Sequence, residues 1–363
     1  MQPYLGEVCG NASSLHRYGR LHSDAIAQAR AQVAALAGAR AEQVVFTSGG
    51  TEANNLLLKG FASAVPGVRI AVSNIEHMSM LEPAQVLSQQ NNQIDWIESN
   101  AQGCITAEAL QKNLHADTRL ISVMAANNET GAIQDIAALA DIARKQGAFM
   151  HSDASQAAGK MPISFNDSGV HAMTISAHKF SGPLGAGALI IDSSLPLKSI
   201  MHGGSQEKGL RPGTENVPAI VGFGKAAELA RAELETRMQH TRQLRDALET
   251  GLRAFANVKI FAEHSERLSN TVQFGVKGFD GETLLMQLDR KGFAVSSGSA
   301  CTSGKTEASH VLRAMQVPNE FALGAVRVSF GMSNTRADVD GLVKALTDIM
   351  PMQNSAVMLA ANL

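Results

Sequence analysis

Short apolar, β-prone runs recur through the first part of the chain, at residues 43–47, 69–72, 93–97, 120–124, 148–150 and 173–175. Between them, residues up to 61, those after 82, and 107–114 and 133–146 carry helical periodicity. Strands joined through helices of this length are linked by crossovers, which build a parallel sheet covered on both faces. Ahead of the first strand, residues 21–36 form an alanine-rich helix that stops at Gly38, a C-cap glycine, and the opening to about residue 15 is irregular. The fold class predicted is α/β, with a mostly parallel central sheet flanked by helices.

The pattern changes near residue 230. Residues 224–255 predict one long charged helix, with Leu234, Met238, Leu244, Leu248, Leu252 and Phe255 at three- and four-residue steps. It leads into a smaller α/β region with strands near 270–274 and 326–330 and helices near 282–291 and 336–349. The predicted division is a large domain over 1–230 and a small one over 231–363.

Composition narrows the functions available. A formal net charge of −2 over 363 residues gives no electrostatic reason to expect nucleic acid or an anionic membrane as partner. Three cysteines, Cys9, Cys104 and Cys301, are too few and too scattered for a disulfide framework or an intrinsic metal site, so a reducing cytoplasm is expected. No apolar run reaches membrane-spanning length, and Met1-Gln2-Pro3-Tyr4 lacks the charged-then-apolar pattern expected of a signal peptide.

Ligands of such sheets gather at the carboxyl ends of the strands. The polar clusters fall there: Ser48-Gly49-Gly50-Thr51, Asn74-Ile75-Glu76-His77, Asn127-Asn128-Glu129, His151-Ser152-Asp153, and Ser176-Ala177-His178-Lys179. Gly50 and Thr51 open a helix directly after a strand, the geometry that turns free backbone N–H groups and a helix dipole toward a phosphate. An ordinary strand-to-helix turn would look the same without the Thr51 hydroxyl. A lysine and an aspartate at neighbouring strand ends are what pyridoxal 5'-phosphate requires. Lys179 supplies the amine for a Schiff base, and Asp153 keeps the pyridine nitrogen protonated so that the ring acts as an electron sink. Taken singly, Lys179 reads as a solvated lysine and His77 as a packed or solvated imidazole. Beside a pyridoxal ring, His77 would stack on it and move protons. Asn128 suits the cofactor's phenolic oxygen, against an ordinary turn role.

In the small domain, the stretch Ala294 to Gly304 is built almost entirely of small residues around Cys301. A cysteine there is poorly explained as core filling and is a nucleophile candidate. Arg327, on a β-prone run, is placed to grip a carboxylate, against the alternative of a strand-edge arginine paired with an acid.

These motifs resemble the cysteine desulfurase family, in the class V aminotransferase group of fold-type I pyridoxal phosphate enzymes. The matching stretches are Gly10 to His16, Phe46 to Asn55, Glu76-His77, Asn127 to Gly131, Asp153 to Gln156, Ser176 to Lys179, Arg211 to Asn216 and Ser296 to Cys301. They span nearly the whole chain in the family's order. The resemblance implies Lys179 as the Schiff-base lysine, Asp153 as the ring-nitrogen partner, and Asn128 and Gln156 on the phenolic oxygen. It implies a phosphate site from Gly50, Thr51, Ser176 and His178, joined by Thr214 from the second subunit of a homodimer, with Ala177 also among the cofactor-binding residues. Arg327 would bind the carboxylate of L-cysteine, with Asn128 beside it. Cys301 would take the sulfur as a persulfide while L-alanine leaves. The persulfide would pass to an iron–sulfur scaffold or another sulfur acceptor, where Cys301 could transiently ligate a cluster.

Two departures are visible. Ala12 stands where the family usually has proline. The family's opening strand and Ala-Thr-Thr-Pro element have no counterpart before Tyr4, which predicts weak activity. The alternatives left open are a truncated, weakly active or non-catalytic homologue acting as a partner-binding dimer, and another lyase or aminotransferase of the same fold.

Overall fold

The computed structural model describes residues 1–6, 10–297 and 307–350, in two compact units. The first comprises residues 1–100, 104–128 and 133–234. Its strands are β1 (Val44–Thr47), β2 (Arg69–Ser73), β3 (Gln93–Ile97), β4 (Thr118–Ser122), β5 (Phe149–Asp153), β6 (Ala172–Ser176) and β7 (Gly187–Ile191). They form a sheet in the order β1-β7-β6-β5-β4-β2-β3. From β3 to β6 every pairing is parallel, while β7 runs antiparallel to both of its neighbours.

Helices Gly50–Ala64 and Met78–Ser88 bury Leu56, Leu57, Phe61 and Met80 against Ile70, Val72, Leu120 and Leu189 of the sheet. Near-continuous apolar strands are the mark of a sheet buried on both faces. Elsewhere in this unit, helix Arg17–Ala37 lies close against helix Val217–Ala232. A Cβ on Gly224 would fall 2.6 Å from Ala29 Cα, so only glycine permits that approach.

The second unit comprises residues 101–103, 129–132 and 235–363. Its antiparallel sheet has the order β10-β11-β9-β8, with β8 Val258–Ile260, β9 Thr271–Val276, β10 Ser296–Ser297 and β11 Ala325–Ser329. Leu244, Leu248, Phe274, Leu284, Val326, Leu342 and Leu346 form its core.

Three local expectations change. The single helix over 224–255 is two helices, Val217–Ala232 and Leu234–Leu252. Glu233, at φ −103° and ψ 7°, leaves helical geometry between them, although the apolar spacing runs on past it. The helix placed after residue 82 starts at Met78, because His77 caps it and Pro83 sits inside it. Strand β7, absent from the sequence reading, is a run of small and branched apolar residues that follows the glycines 182 and 185.

Candidate active site

The carboxyl ends of β1, β2, β4, β5 and β6 surround a cavity of about 190 Å³ in the first unit. Gly50, Thr51, His77, Asn128, Asp153, Gln156, Ser176, His178 and Lys179 line it, with Ser79, Met124 and Ser155. Nine of the residues singled out from sequence therefore meet in one place. Ala177 is fully buried and does not line the cavity, and Thr214 is exposed away from its lining. Arg327 belongs to the second unit, on β11, where its guanidinium donates to Ser296 Oγ at 3.2 Å. Cys301 lies outside the described residues.

Asp153 ends β5 and is only 5% exposed. Its carboxylate is held from two sides: Oδ1 accepts from Ser155 N and Oδ2 from Asn54 Nδ2, each at 2.9 Å. A buried carboxylate needs such donors, since desolvation without them costs several kcal/mol, on the order of the effective penalty for a buried ion. Beneath it, His151 is fully buried between strands, with Ser122 Oγ 2.9 Å from Nδ1 and Thr174 Oγ1 3.1 Å from Nε2. Burial pushes His151 down to about 4 against the pull of the Asp153 charge, so its ring is neutral at pH 7.

The turn from β1 into helix Gly50–Ala64 is braced by Glu52, whose carboxylate accepts from Ser48 N at 2.7 Å and from Arg211 Nε at 2.9 Å. Burial alone would raise Glu52, but these donors hold it below the usual carboxylate range. At the end of β6, Ser176 Oγ and His178 Nδ1 are 3.0 Å apart. Burial, then the ammonium groups of Lys179 and Lys160, keep His178 below the ordinary imidazole range. Lys179 sits on the turn Ala177–Phe180, which closes where Gly182 N donates to Ala177 O at 3.0 Å. A Cβ on Gly182 would lie 2.7 Å from that carbonyl, so the turn needs glycine.

On β2's side, Glu76 is fully buried, and its Oε1 accepts from Ser73 Oγ and from Met124 N, both at 2.6 Å. Burial pushes its carboxyl up to about 8, Asp153 adds to the rise, and the two donors oppose it. Asn127 Nδ2 donates to Ile75 O at 3.0 Å. Together these bonds tie the His77 segment to the Asn128 loop.

Pyridoxal 5'-phosphate fits these residues. Ser155 Oγ is buried in the cavity wall without a hydrogen-bond partner among the described residues, an acceptor or donor awaiting a ligand. The helix start beside it carries Gly50, where a Cβ would come within 3.1 Å of Ser155 Oγ. A donor-rich helix terminus, a fixed carboxylate and a lysine in one cavity supply a phosphate cradle, a ring-nitrogen partner and an amine. Sequence reading missed Asn54, Ser79, Ser155, Glu76 and His151 as site residues. Asn54, Glu76 and Ser155 stood inside matched motifs, and Ser79 and His151 within two residues of named ones, but nothing local indicated what they touch.

The sequence matches the aminotransferase class-V family over residues 1–342. It is 40% identical over 353 residues to "Cysteine desulfurase IscS" of Dictyoglomus turgidum, covering 96% of this chain and 90% of that protein. Among solved structures, a "NIFS-LIKE PROTEIN" superposes with a TM-score of 0.89 at 35% identity, covering 95% of this chain and 92% of the other. Another, "SspA in complex with cysteine", gives a TM-score of 0.80 at 28% identity over 92% of this chain and 94% of that one.

Proposed function

The chain belongs to the cysteine desulfurases of the class-V aminotransferase family, a pyridoxal-phosphate-dependent group, and we propose that it removes sulfur from L-cysteine and releases L-alanine. The observation that carries this is the single cavity holding both Lys179 and the doubly bonded Asp153. When bound, pyridoxal 5'-phosphate supplies an electron sink for the charge left as the carbon–sulfur bond breaks.

Lys179 would hold the cofactor covalently and return protons to the substrate carbon. Asp153 would keep a proton on the ring nitrogen. Gly50, Thr51, Ser176 and His178 would hold the phosphate, with the Ser155 hydroxyl facing the same space and Ala177 packed behind them. Gln156 and Asn128 would bond the phenolic oxygen, and His77 would stack on the ring and move a proton. Arg327 would take the substrate carboxylate as a bidentate pair. The Cys301 thiolate would attack the substrate sulfur: a sulfur–sulfur bond forms, the carbon–sulfur bond breaks, and the carbon keeps the electron pair and takes a proton to become alanine. A thiol reductant or a sulfur-acceptor protein, such as an iron–sulfur scaffold, then consumes the persulfide.

We assign the cofactor domain to residues 1–230 and the domain carrying Cys301 and Arg327 to 231–363. We place the working enzyme in the cytoplasm as a homodimer in which each Thr214 reaches the phosphate of the other subunit. The exposure of Thr214 supports that placement. Among the described residues, no helix is long and apolar enough to cross a membrane. The test is an assay of purified protein with L-cysteine and dithiothreitol. Alanine and sulfide in equal amounts are expected. Pyruvate and ammonia, or amino transfer to a keto acid, would replace desulfuration with another reaction of this fold.

A further inference from the structure

His77 caps the helix Met78–Ser88: its backbone is extended, and Nδ1 accepts from Ser79 N at 3.1 Å. Ser79 Oγ lies 2.8 Å from the same Nδ1. A backbone N–H at 3.1 Å favours a lone pair on Nδ1, and a hydroxyl proton given to the same nitrogen from 2.8 Å favours it further. With both donors in place, neutral His77 carries its proton on Nε2.

The Ser79 hydroxyl does not stand alone. It is buried, 7% exposed at the residue, and accepts from Asn54 Nδ2 at 2.8 Å. The same Asn54 nitrogen donates to Asp153 Oδ2 at 2.9 Å, and an amide NH₂ has a hydrogen for each. Asn54 is itself fully buried on helix Gly50–Ala64. Asp153, Asn54, Ser79 and His77 thus form a continuous hydrogen-bonded line across three elements, from a strand end through one helix to the cap of another. With Asn54 donating to it, the Ser79 oxygen keeps its own proton for His77 Nδ1, 2.8 Å away. The Asn54 NH₂ can only donate, so the hydroxyl proton has no acceptor on that side.

We propose that Ser79, anchored by Asn54, is a positioning residue that holds His77 as the Nε2–H tautomer and fixes its ring against the site. The proposal rests on the desulfurase reading for its consequence, that His77 enters the reaction with a proton at Nε2 rather than a lone pair. Its structural half stands on this chain's own residues. Ser79→Ala removes the hydroxyl and leaves the cap N–H alone at Nδ1; Ser79→Thr restores a hydroxyl at the same place.

The tautomer is read directly by nitrogen NMR of histidine-labelled protein without cofactor, with the His77 signals identified by their loss in His77→Asn. The parent is expected to show a bare Nδ1 and a protonated Nε2, Ser79→Ala a mixture of tautomers, and Ser79→Thr the parent pattern. In the loaded enzyme, Ser79→Ala should lower kcat about tenfold with KM for L-cysteine little changed, less than the roughly hundredfold or more that an acid–base group itself contributes, and Ser79→Thr should recover most of the loss. A parent tautomer retained in Ser79→Ala overturns the proposal, as does a rate loss that Ser79→Thr fails to restore. Failure of the desulfurase reading would show separately, as a parent enzyme that yields no alanine while its His77 tautomer stays as described.

Discussion

Lys160 Nζ donates to Gln156 Oε1 across 2.6 Å, four residues along the same turn. An ammonium can only donate, so it fixes which end of the Gln156 amide it faces: the oxygen is held at Lys160 and the NH₂ is presented elsewhere as a donor. That is the orientation an acceptor such as a phenolic oxygen needs. Lys160→Met should let the amide flip and raise the dissociation constant for pyridoxal 5'-phosphate by about tenfold or more, since a hydrogen bond to a charged group is worth roughly 1.5–3 kcal/mol. Titration of cofactor-free protein, followed by visible absorbance, measures it. An unchanged constant would separate Lys160 from the cofactor site.

Lys179→Ala should leave the sheet intact and abolish the covalent attachment of the cofactor. The parent should be yellow, and borohydride should place the reduced cofactor on the peptide containing Lys179 when mapped by mass spectrometry. Label recovered on any other lysine would displace Lys179 from its assigned role.

Glu76 predicts a pH dependence of stability. Its carboxyl is pushed up to about 8 in the folded chain, first by burial and then by Asp153, from an unfolded value of 4.5. The folded state therefore holds a proton that the unfolded state releases between those values. The stabilisation is fully present below about 4.5 and is lost as pH rises toward 8, at a slope of at most about 1.4 kcal/mol per pH unit. Glu76→Gln keeps the acceptor for Ser73 and Met124 but cannot ionise. Urea midpoints of parent and variant should diverge with pH, the variant gaining on the parent from pH 5 to pH 8. Parallel profiles would mean that Glu76 is ionised in the folded chain.

Much of the site was legible because each parallel strand ends in a cluster whose polarity contrasts with the apolar run before it. Gly50, His77, Asn128, Asp153 and Lys179 could each be read from their own few neighbours. Asn54 and Ser79 could not, since each earns its place from a partner on another element: Asn54 meets Asp153 from 99 positions away. His151 looked like one more strand residue until its two ring nitrogens were seen between hydroxyls of β4 and β6. The same limit explains β7, whose antiparallel course depends on pairing with β1 and β6 rather than on any local signal.

A buried ion pair offers a test of the scaffold apart from chemistry. Glu207 is 2% exposed at its side chain and accepts from Arg30 Nη2 at 2.5 Å, from Arg30 Nη1 at 2.7 Å and from Phe46 N at 2.7 Å. The Arg30 guanidinium also lies 4.7 Å from the centre of the Phe46 ring. Glu207→Ala would leave a guanidinium and a strand N–H without their acceptor, at a cost of about 3–5 kcal/mol in urea unfolding. Glu42→Ala, which breaks the exposed pair with Arg40, should leave the urea midpoint where it was. Equal effects of the two substitutions would contradict the burial argument.

The most direct test of desulfuration is a single turnover with L-cysteine in the absence of reducing thiol. Without an acceptor, each chain should release one alanine and stop, and intact-mass and peptide analysis should find one added sulfur atom on Cys301, with none on Cys9 or Cys104. Cys301→Ser should bind L-cysteine and change the cofactor spectrum yet release no alanine. Alanine from Cys301→Ser at the parent's rate, or the sulfur recovered on another cysteine, would contradict the account.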